Sequence, residues 1–299
     1  MNSLLSLTSR NLKIFYRTKG NLFFSMLSVL ILVVLHFIVF RSTSADSWSE
    51  ICSQFPGLTV ERSDLLWLND SLMFAAILPI GAVTISLVSL SLMTSDREKN
   101  TINDFLVSPI KRNTVLASYL ISSFITGFGI CIIFIVFFSI YFMALYGVLF
   151  TMMQMVWLLI ATIGSLIFAN VFMLLIISFI KNQQTVGAVG TVVGTGIGFL
   201  SGAYIPIGMF GETIGNIFSS LPFLQLTVLM RQVFLMEMET VTPLRFSMIS
   251  GDMARNFGIE LFIGGKNIPI WGIALFSLGI SAILLGSLIF RFNHMKKAE

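Results

Sequence analysis

The chain has 299 residues, 56% of them hydrophobic and only 11% charged, with a formal net charge of +4. A soluble domain carries about a quarter charged residues, so this composition excludes a water-soluble globular protein and indicates an integral membrane protein. The basic excess does not point to nucleic acid, because Lys and Arg sit at the ends of apolar runs rather than in a patch interleaved with aromatics.

Residues 1–19 mix Leu4, Leu5, Leu7, Leu12, Phe15 and Tyr16 with Arg10, Lys13, Arg17 and Lys19. The pattern predicts an amphipathic helix lying at the membrane interface. A secretory leader would have an apolar core of about 7–15 residues, whereas residues 21–40 run longer and end in Arg41.

A bilayer-spanning helix needs about 20 mostly apolar residues. Charge-free runs predict spans at about 20–40, 71–94, 114–145, 152–180, 184–204 and 269–290. The long run between Arg112 and Lys181 is divided near Tyr146-Gly147. Residues 41–70 form the first outer loop, where Trp48 and Trp67 suit the membrane interface. Asn69-Asp70-Ser71 matches a glycosylation pattern, but such matches are common by chance and this one abuts a span. Cys52 lies in the polar loop and Cys131 deep in an apolar run, so no bridge is expected between them. His36, in the first span, is read as a lone packed or interface residue.

With both termini inside, the inner segments hold Arg10, Lys13, Arg17, Lys19, Arg97, Lys99, Lys111, Arg112, Lys181, Arg291, Lys296 and Lys297. The outer segments hold only Arg41, Arg62, Arg231, Arg245, Arg255 and Lys266. This bias sets both termini on the cytoplasmic side of a multi-pass protein.

Between the second and third spans lies a charged island, residues 95–112. Ser95 followed by Glu98 has the spacing of a capping box, and Pro109 excludes Ser108 from helical geometry, so a helix is expected over 96–108. Ile102, Phe105 and Leu106 share one face of it.

The run Asp-Arg-Glu-Lys-Asn-Thr-Ile-Asn-Asp-Phe-Leu-Val-Ser-Pro-Ile, beginning at Asp96, resembles the loop motif of type-2 ABC exporter permeases, roughly Glu-Arg-Glu-x-Gly-Thr-Leu-Glu-x-Leu-Leu-Val-Thr-Pro-Ile. Asn100 replaces the usual Gly, a mild change because Asn tolerates left-handed geometry. Asn103 replaces a Glu and removes its charge. The resemblance implies that the loop is a coupling helix docking on a separate ATPase through Glu98, Thr101, Ile102, Phe105, Leu106 and Pro109. It also implies that the N-terminal helix lies at the membrane surface near that ATPase.

The fifth predicted span carries Gly190, Gly194, Gly198 and Gly202, four residues apart. Small residues at this spacing allow close helix approach; another helix of the chain, a second copy or the transport path are all open as the partner. Residues 205–268 form an outer region. Its apolar part is broken by Pro206, Gly208, Gly211, Gly215 and Pro222, and broken backbone at membrane depth must be buried in protein or line a cavity. Gly202, Pro206, Pro222 and Arg231 resemble the family's Gly-x-x-x-Pro segment with its following Pro and Arg, which implies re-entrant outer helices. Arg231 either snorkels to headgroups, the favoured reading, or helps shape the outer exit. Thr242-Pro243 suits the start of a short helix, and Arg245, Asp252, Arg255 and Glu260 suit a solvated cap.

No phosphate-binding loop, zinc-protease motif or nucleophile elbow occurs; Gly264-Gly265-Lys266-Asn267 is the nearest approach to the first. The predicted spans hold no ionisable residue except His36, which disfavours an ion-driven carrier. The expectation is an all-α membrane protein of six spans, with an interfacial helix, a coupling helix and re-entrant outer helices. By resemblance it is the transmembrane, non-enzymatic subunit of an ABC exporter in a bacterial plasma membrane. It carries no cofactor of its own, ATP and Mg being held by the ATPase, and it pairs with a second permease copy. Its expected cargo is a drug, an antimicrobial peptide or a lipid-like compound. The alternative is an immunity or binding protein that sequesters a peptide or drug without transport.

Overall fold

The computed structural model describes residues 2–52, 61–107, 110–205, 207–236, 254–255 and 257–294. The chain begins with helix α1, Asn2–Arg17, which buries Leu7, Thr8, Asn11 and Phe15 along one face and leaves Lys13, Tyr16 and Arg17 exposed. Helix α2, Lys19–Leu35, passes through a π-helical turn, His36–Phe40, into α3, Arg41–Cys52. A single π turn shifts the phase of the side chains that follow it, and such turns recur at functional sites.

Helix α4, Arg62–Glu98, is the axis of the molecule. Its 37 residues rise about 55 Å at 1.5 Å each, well beyond the roughly 30 Å of a bilayer core. It packs against α2 and four later helices: α6 (Arg112–Tyr146), α7 (Met152–Ser178), α8 (Gln183–Leu200) and α10 (Pro222–Phe234). Nearly every residue from Leu65 to Leu87 is buried. A helix apolar on all sides must be enclosed by others, and α4 meets that condition. The short helix α5, Thr101–Val107, follows it.

Between α8 and α10 lie a 3₁₀ turn, Ile207–Phe210, and helix α9, Gly211–Ser219. Strands β1 (Leu261–Ile263) and β2 (Lys266–Ile268) form an antiparallel hairpin before the last helix, α11, Ile270–His294. Gly264 and Gly265 both have positive φ at the hairpin's two-residue loop, the geometry a tight primed turn requires. Gly264-Gly265 are therefore the turn, and Lys266-Asn267 belong to β2. The bundle has two ends, called below the α5 end and the hairpin end.

The protein is an all-α membrane protein with a minimal hairpin. Five helical stretches are long and apolar enough to cross a bilayer: Lys19–Thr43, Arg62–Glu98, Arg112–Tyr146, Met152–Ser178 and Ile270–Arg291. The pair Thr213–Ser219 and Pro222–Phe234, bent by 78°, makes six if taken as one broken span. Helix α8, where a fifth span is expected over 184–204, is not among the five; its glycines, threonines and paired glutamines dilute its apolar character.

Three local expectations are corrected. Residues 95–98 end α4 rather than starting the short helix: the Lys99 N–H donates to the Ser95 carbonyl at 3.1 Å, closing the last turn. The break comes at Asn100, the only non-glycine residue with positive φ (59°) among the described residues. Capping boxes form instead at Glu61 with Asp64 and at Thr151 with Gln154. Gly202 is not on the α8 ridge. It has φ 66° just beyond the helix, where Ala203 donates to the Gly198 carbonyl (3.0 Å) and Gly202 to that of Phe199 (3.1 Å). That bonding is a Schellman cap, which favours glycine.

Candidate functional site

The α5 end is built on the last turn of α4. Asp96 is 3% exposed. Its carboxylate accepts two bonds from Arg10 of α1, Nη1 to Oδ2 at 2.8 Å and Nη2 to Oδ1 at 2.7 Å. Tyr119 of α6 donates its hydroxyl to the same carboxylate at 2.5 Å. The fork geometry is the strong, orientation-specific form of an ion pair. Its hydrogen bonds to Asp96 raise the Arg10 pKa above its usual value, against the opposing effect of burial. Asn11 adds a second tie between α1 and α6, donating to Ser118 Oγ at 3.4 Å.

The neighbouring Arg97 reaches the end of α7. Its Nη1 donates to the carbonyls of Ile177 (3.0 Å), Ser178 (3.3 Å) and Ile180 (2.9 Å). Carbonyls at a helix C-terminus lack intrahelical donors, and a cation there also complements the helix dipole. Glu98 accepts the Gln183 N–H at 2.7 Å, and Gln183 returns a bond to the Ser91 carbonyl at 2.7 Å. Three consecutive residues of α4 thus hold α1, α6, α7 and α8.

Directly beyond them, α5 places Thr101, Ile102 and Phe105 in half-buried positions. Ile102 and Phe105 pack partly on the chain's own core, and the Arg10 guanidinium lies 5.2 Å from the centre of the Phe105 ring, within cation–π range. Helix α5 is therefore clipped to α1 through the residue that α1 also uses to hold α4. The Leu106 side chain, Asn103 side chain, Ser108 and Pro109 lie outside the described residues.

The hairpin end holds two further buried charges. Asp70, fully buried, accepts Tyr141 and Tyr146 hydroxyls at 2.5 and 2.6 Å and lies 2.7 Å from His36 Nε2. Arg41 Nε approaches both its oxygens at 3.3 Å. His36 is therefore paired, not alone, and α4 carries an ionisable group inside the bundle. Asn69 is 7% exposed and donates to the carbonyls of Phe40 and Arg41. Trp67 is buried beside the Phe142 ring.

Arg231 does not snorkel. It is 4% exposed and donates to four backbone carbonyls: Gly202 at 2.8 Å, Phe257 at 2.8 Å, Gly258 at 3.2 Å and Leu72 at 3.3 Å. It joins α10 to α4, to the α8 cap and to the segment before β1. Pro222 is the first residue of α10, with Leu221 as its N-cap. Pro206 and the stretch containing Thr242-Pro243, Arg245 and Asp252 lie outside the described residues.

Two glycines of α8, Gly190 and Gly194, face other helices of this chain. A Cβ on Gly190 would lie 3.1 Å from Leu87 of α4, and one on Gly194 would lie 3.8 Å from Ser28 Oγ of α2. At Gly198 a Cβ would overlap the Tyr204 ring.

The sequence reading missed Asp96, Asp70 and the packed state of Arg231. A positional signal existed for Asp70: in two consecutive antiparallel spans, the end of the first and the start of the second share one depth. That places His36 and Asp70 together.

The ABC-2 type transporter family model matches residues 2–235, from α1 through α10 and so across both clusters of buried charge. The chain belongs to that family and is a transmembrane subunit of an ABC transporter. A comparison with curated proteins finds no match.

Proposed function

We propose that this chain is the export permease of an ATP-driven transporter and that its α5 end is the site of coupling to a separate ATPase, which holds ATP and Mg. In this reading α5 docks on the ATPase from the cytoplasmic side, both termini lie on that side, and two permease copies enclose the path across a bacterial plasma membrane. The observation that supports it most is the Asp96 cluster. A displacement of α5 and α1 reaches α4 and α6 through one carboxylate, α7 through Arg97 and α8 through Glu98. Because α4 is the central helix, whatever moves its last turn bears on the whole bundle.

The hairpin end supports an export path with a tied outer region. Arg231 holds the re-entrant pair to the start of α4. An amphipathic drug, antimicrobial peptide or lipid-like cargo suits the apolar spans.

The test is the combined change Ile102→Ser, Phe105→Ser and Leu106→Ser. Co-purification of the ATPase and ATP-dependent efflux from vesicles should both be lost, while the permease still folds and inserts. Retention of both activities would refute docking through α5. Cargo bound equally with and without ATP, and never moved, would favour a sequestering protein instead.

A further inference from the structure

The end of α7 carries more positive charge than its carbonyls need. Arg97 already donates to the carbonyls of Ile177, Ser178 and Ile180. One cation more than offsets a helix C-terminus, which carries about half an elementary negative charge. A second guanidinium is nevertheless brought to the same place. Arg291, in the last turn of α11, donates through Nη2 to the Ser178 carbonyl at 3.4 Å, the oxygen that Arg97 Nη1 meets at 3.3 Å. The two nitrogens therefore lie within about 7 Å of each other, where like charges repel. Among the described residues neither guanidinium has a carboxylate within ion-pair distance. Glu98, next to Arg97 in sequence, accepts from the Gln183 N–H instead. Lys181, exposed just beyond α7, adds charge of the same sign.

Arg291 is both fixed and reachable. Its Cζ lies 3.7 Å from the centre of the Phe179 ring, so stacking sets the guanidinium plane before any ligand arrives. Its Nε is buried, whereas Nη1, which also bonds no described residue, keeps accessible surface. The depth is set by the spans. The apolar stretches Met152–Ser178 and Ile270–Arg291 both stop here, and beside the cations Phe179 and Phe290 are 61% and 66% exposed. Lipid-facing rings next to arginines at the end of two spans put the charge at the depth of the lipid phosphates.

We propose that Arg291, backed by Arg97 and Lys181, binds the phosphodiester of an anionic phospholipid from the leaflet on the α5 side. A phosphate oxygen accepts from Arg291 Nη1 in a charge-assisted bond, and its negative charge relieves the repulsion between the two arginines. The acyl chains lie along Phe179 and Phe290. A free phosphate offers the same oxyanion but nothing to cover those rings, so the lipid is the occupant. The site is independent of the cargo and of ATPase docking.

The test titrates the full-length chain in mild detergent with phosphatidylglycerol, phosphatidylcholine or diacylglycerol and counts bound lipid by native mass spectrometry. Wild type should take up phosphatidylglycerol in preference to phosphatidylcholine, whose own choline offsets the phosphate, and diacylglycerol least. Inorganic phosphate at the same concentration should not displace the lipid. Arg291→Gln should weaken phosphatidylglycerol binding about tenfold, the usual worth of one hydrogen bond to a charged group, and Arg291→Lys should recover part of it. Arg62→Gln, an equal loss of charge at the hairpin end, should change nothing. Equal uptake of phosphatidylglycerol and diacylglycerol by wild type would overturn the site. So would unchanged uptake by an Arg291→Gln chain shown by circular dichroism to be folded. Displacement by inorganic phosphate would overturn the lipid as occupant. A rise in lipid uptake on removing residues 295–299 would do the same, since the chain's own tail would then hold the site.

Discussion

The two ends of the bundle both bury charge, but they satisfy it differently. At the α5 end a carboxylate and a guanidinium pair across helices, with the Arg10 side chain still 30% exposed. At the hairpin end Asp70 is enclosed by four side chains with no exposure, and Arg231 is solvated by backbone carbonyls alone. The two guanidiniums are alike in exposure, Arg10 at 30% and Arg41 at 28%, and both carboxylates are buried. What differs is the number of partners: Asp96 has two side chains and Asp70 four, so loss of the carboxylate's contacts strands more at the hairpin end. In the proposed reading the α5 end moves and the hairpin end stays fixed.

Substitutions sharpen that contrast, beginning with the costliest. Asp70→Ala takes the shared acceptor from buried His36 and the Tyr141 hydroxyl and leaves Arg41 only its bond to Tyr146, and should destabilise the folded protein by about 3–5 kcal/mol, read as early loss of the monodisperse peak on heating in detergent. Arg231→Leu leaves the Gly202, Phe257 and Gly258 carbonyls without this donor, whereas Leu72 keeps its place in the helix. The loss should be about 3 kcal/mol at roughly 1 kcal/mol for each orphaned carbonyl. Arg231→Lys should recover only part of it, since an ammonium cannot reproduce the planar fork. At the other end Arg10→Met should cost only about 1–2 kcal/mol, because Asp96 keeps the Tyr119 hydroxyl and gains access to water. A cost for Arg10→Met equal to that of Asp70→Ala would break the comparison. The smallest expected effect on stability is that of the single change Ile102→Ser, about 0.5–1 kcal/mol at a half-buried position, read by the same heating assay.

The membrane class, the apolar runs and the charged loop could be read from local composition, because each is a property of contiguous residues. The loop's role came from its resemblance to a family motif, and the family match now covers that loop and most of the chain. What escaped was pairing at long range. Asp70 reads as a span boundary when hydropathy is summed along the chain, yet His36, 34 residues away, allows it inside. Arg231 resembles any interfacial arginine until the carbonyl of Leu72, 159 positions away in sequence, is brought to it. The glycines show the same limit. A spacing of four identified a close-approach face, but the helix ends at Leu200, so the last of the series serves the cap and not the ridge.

The central claim is that the motion of a docked ATPase enters the bundle through the Asp96 carboxylate. The most direct measurement is the ratio of cargo exported to ATP hydrolysed in reconstituted vesicles, for wild type and for Asp96→Asn. The account predicts that the variant keeps its bound ATPase and its hydrolysis while export per ATP falls at least severalfold. An unchanged ratio, in a variant shown to have lost the Arg10 tie, would contradict it.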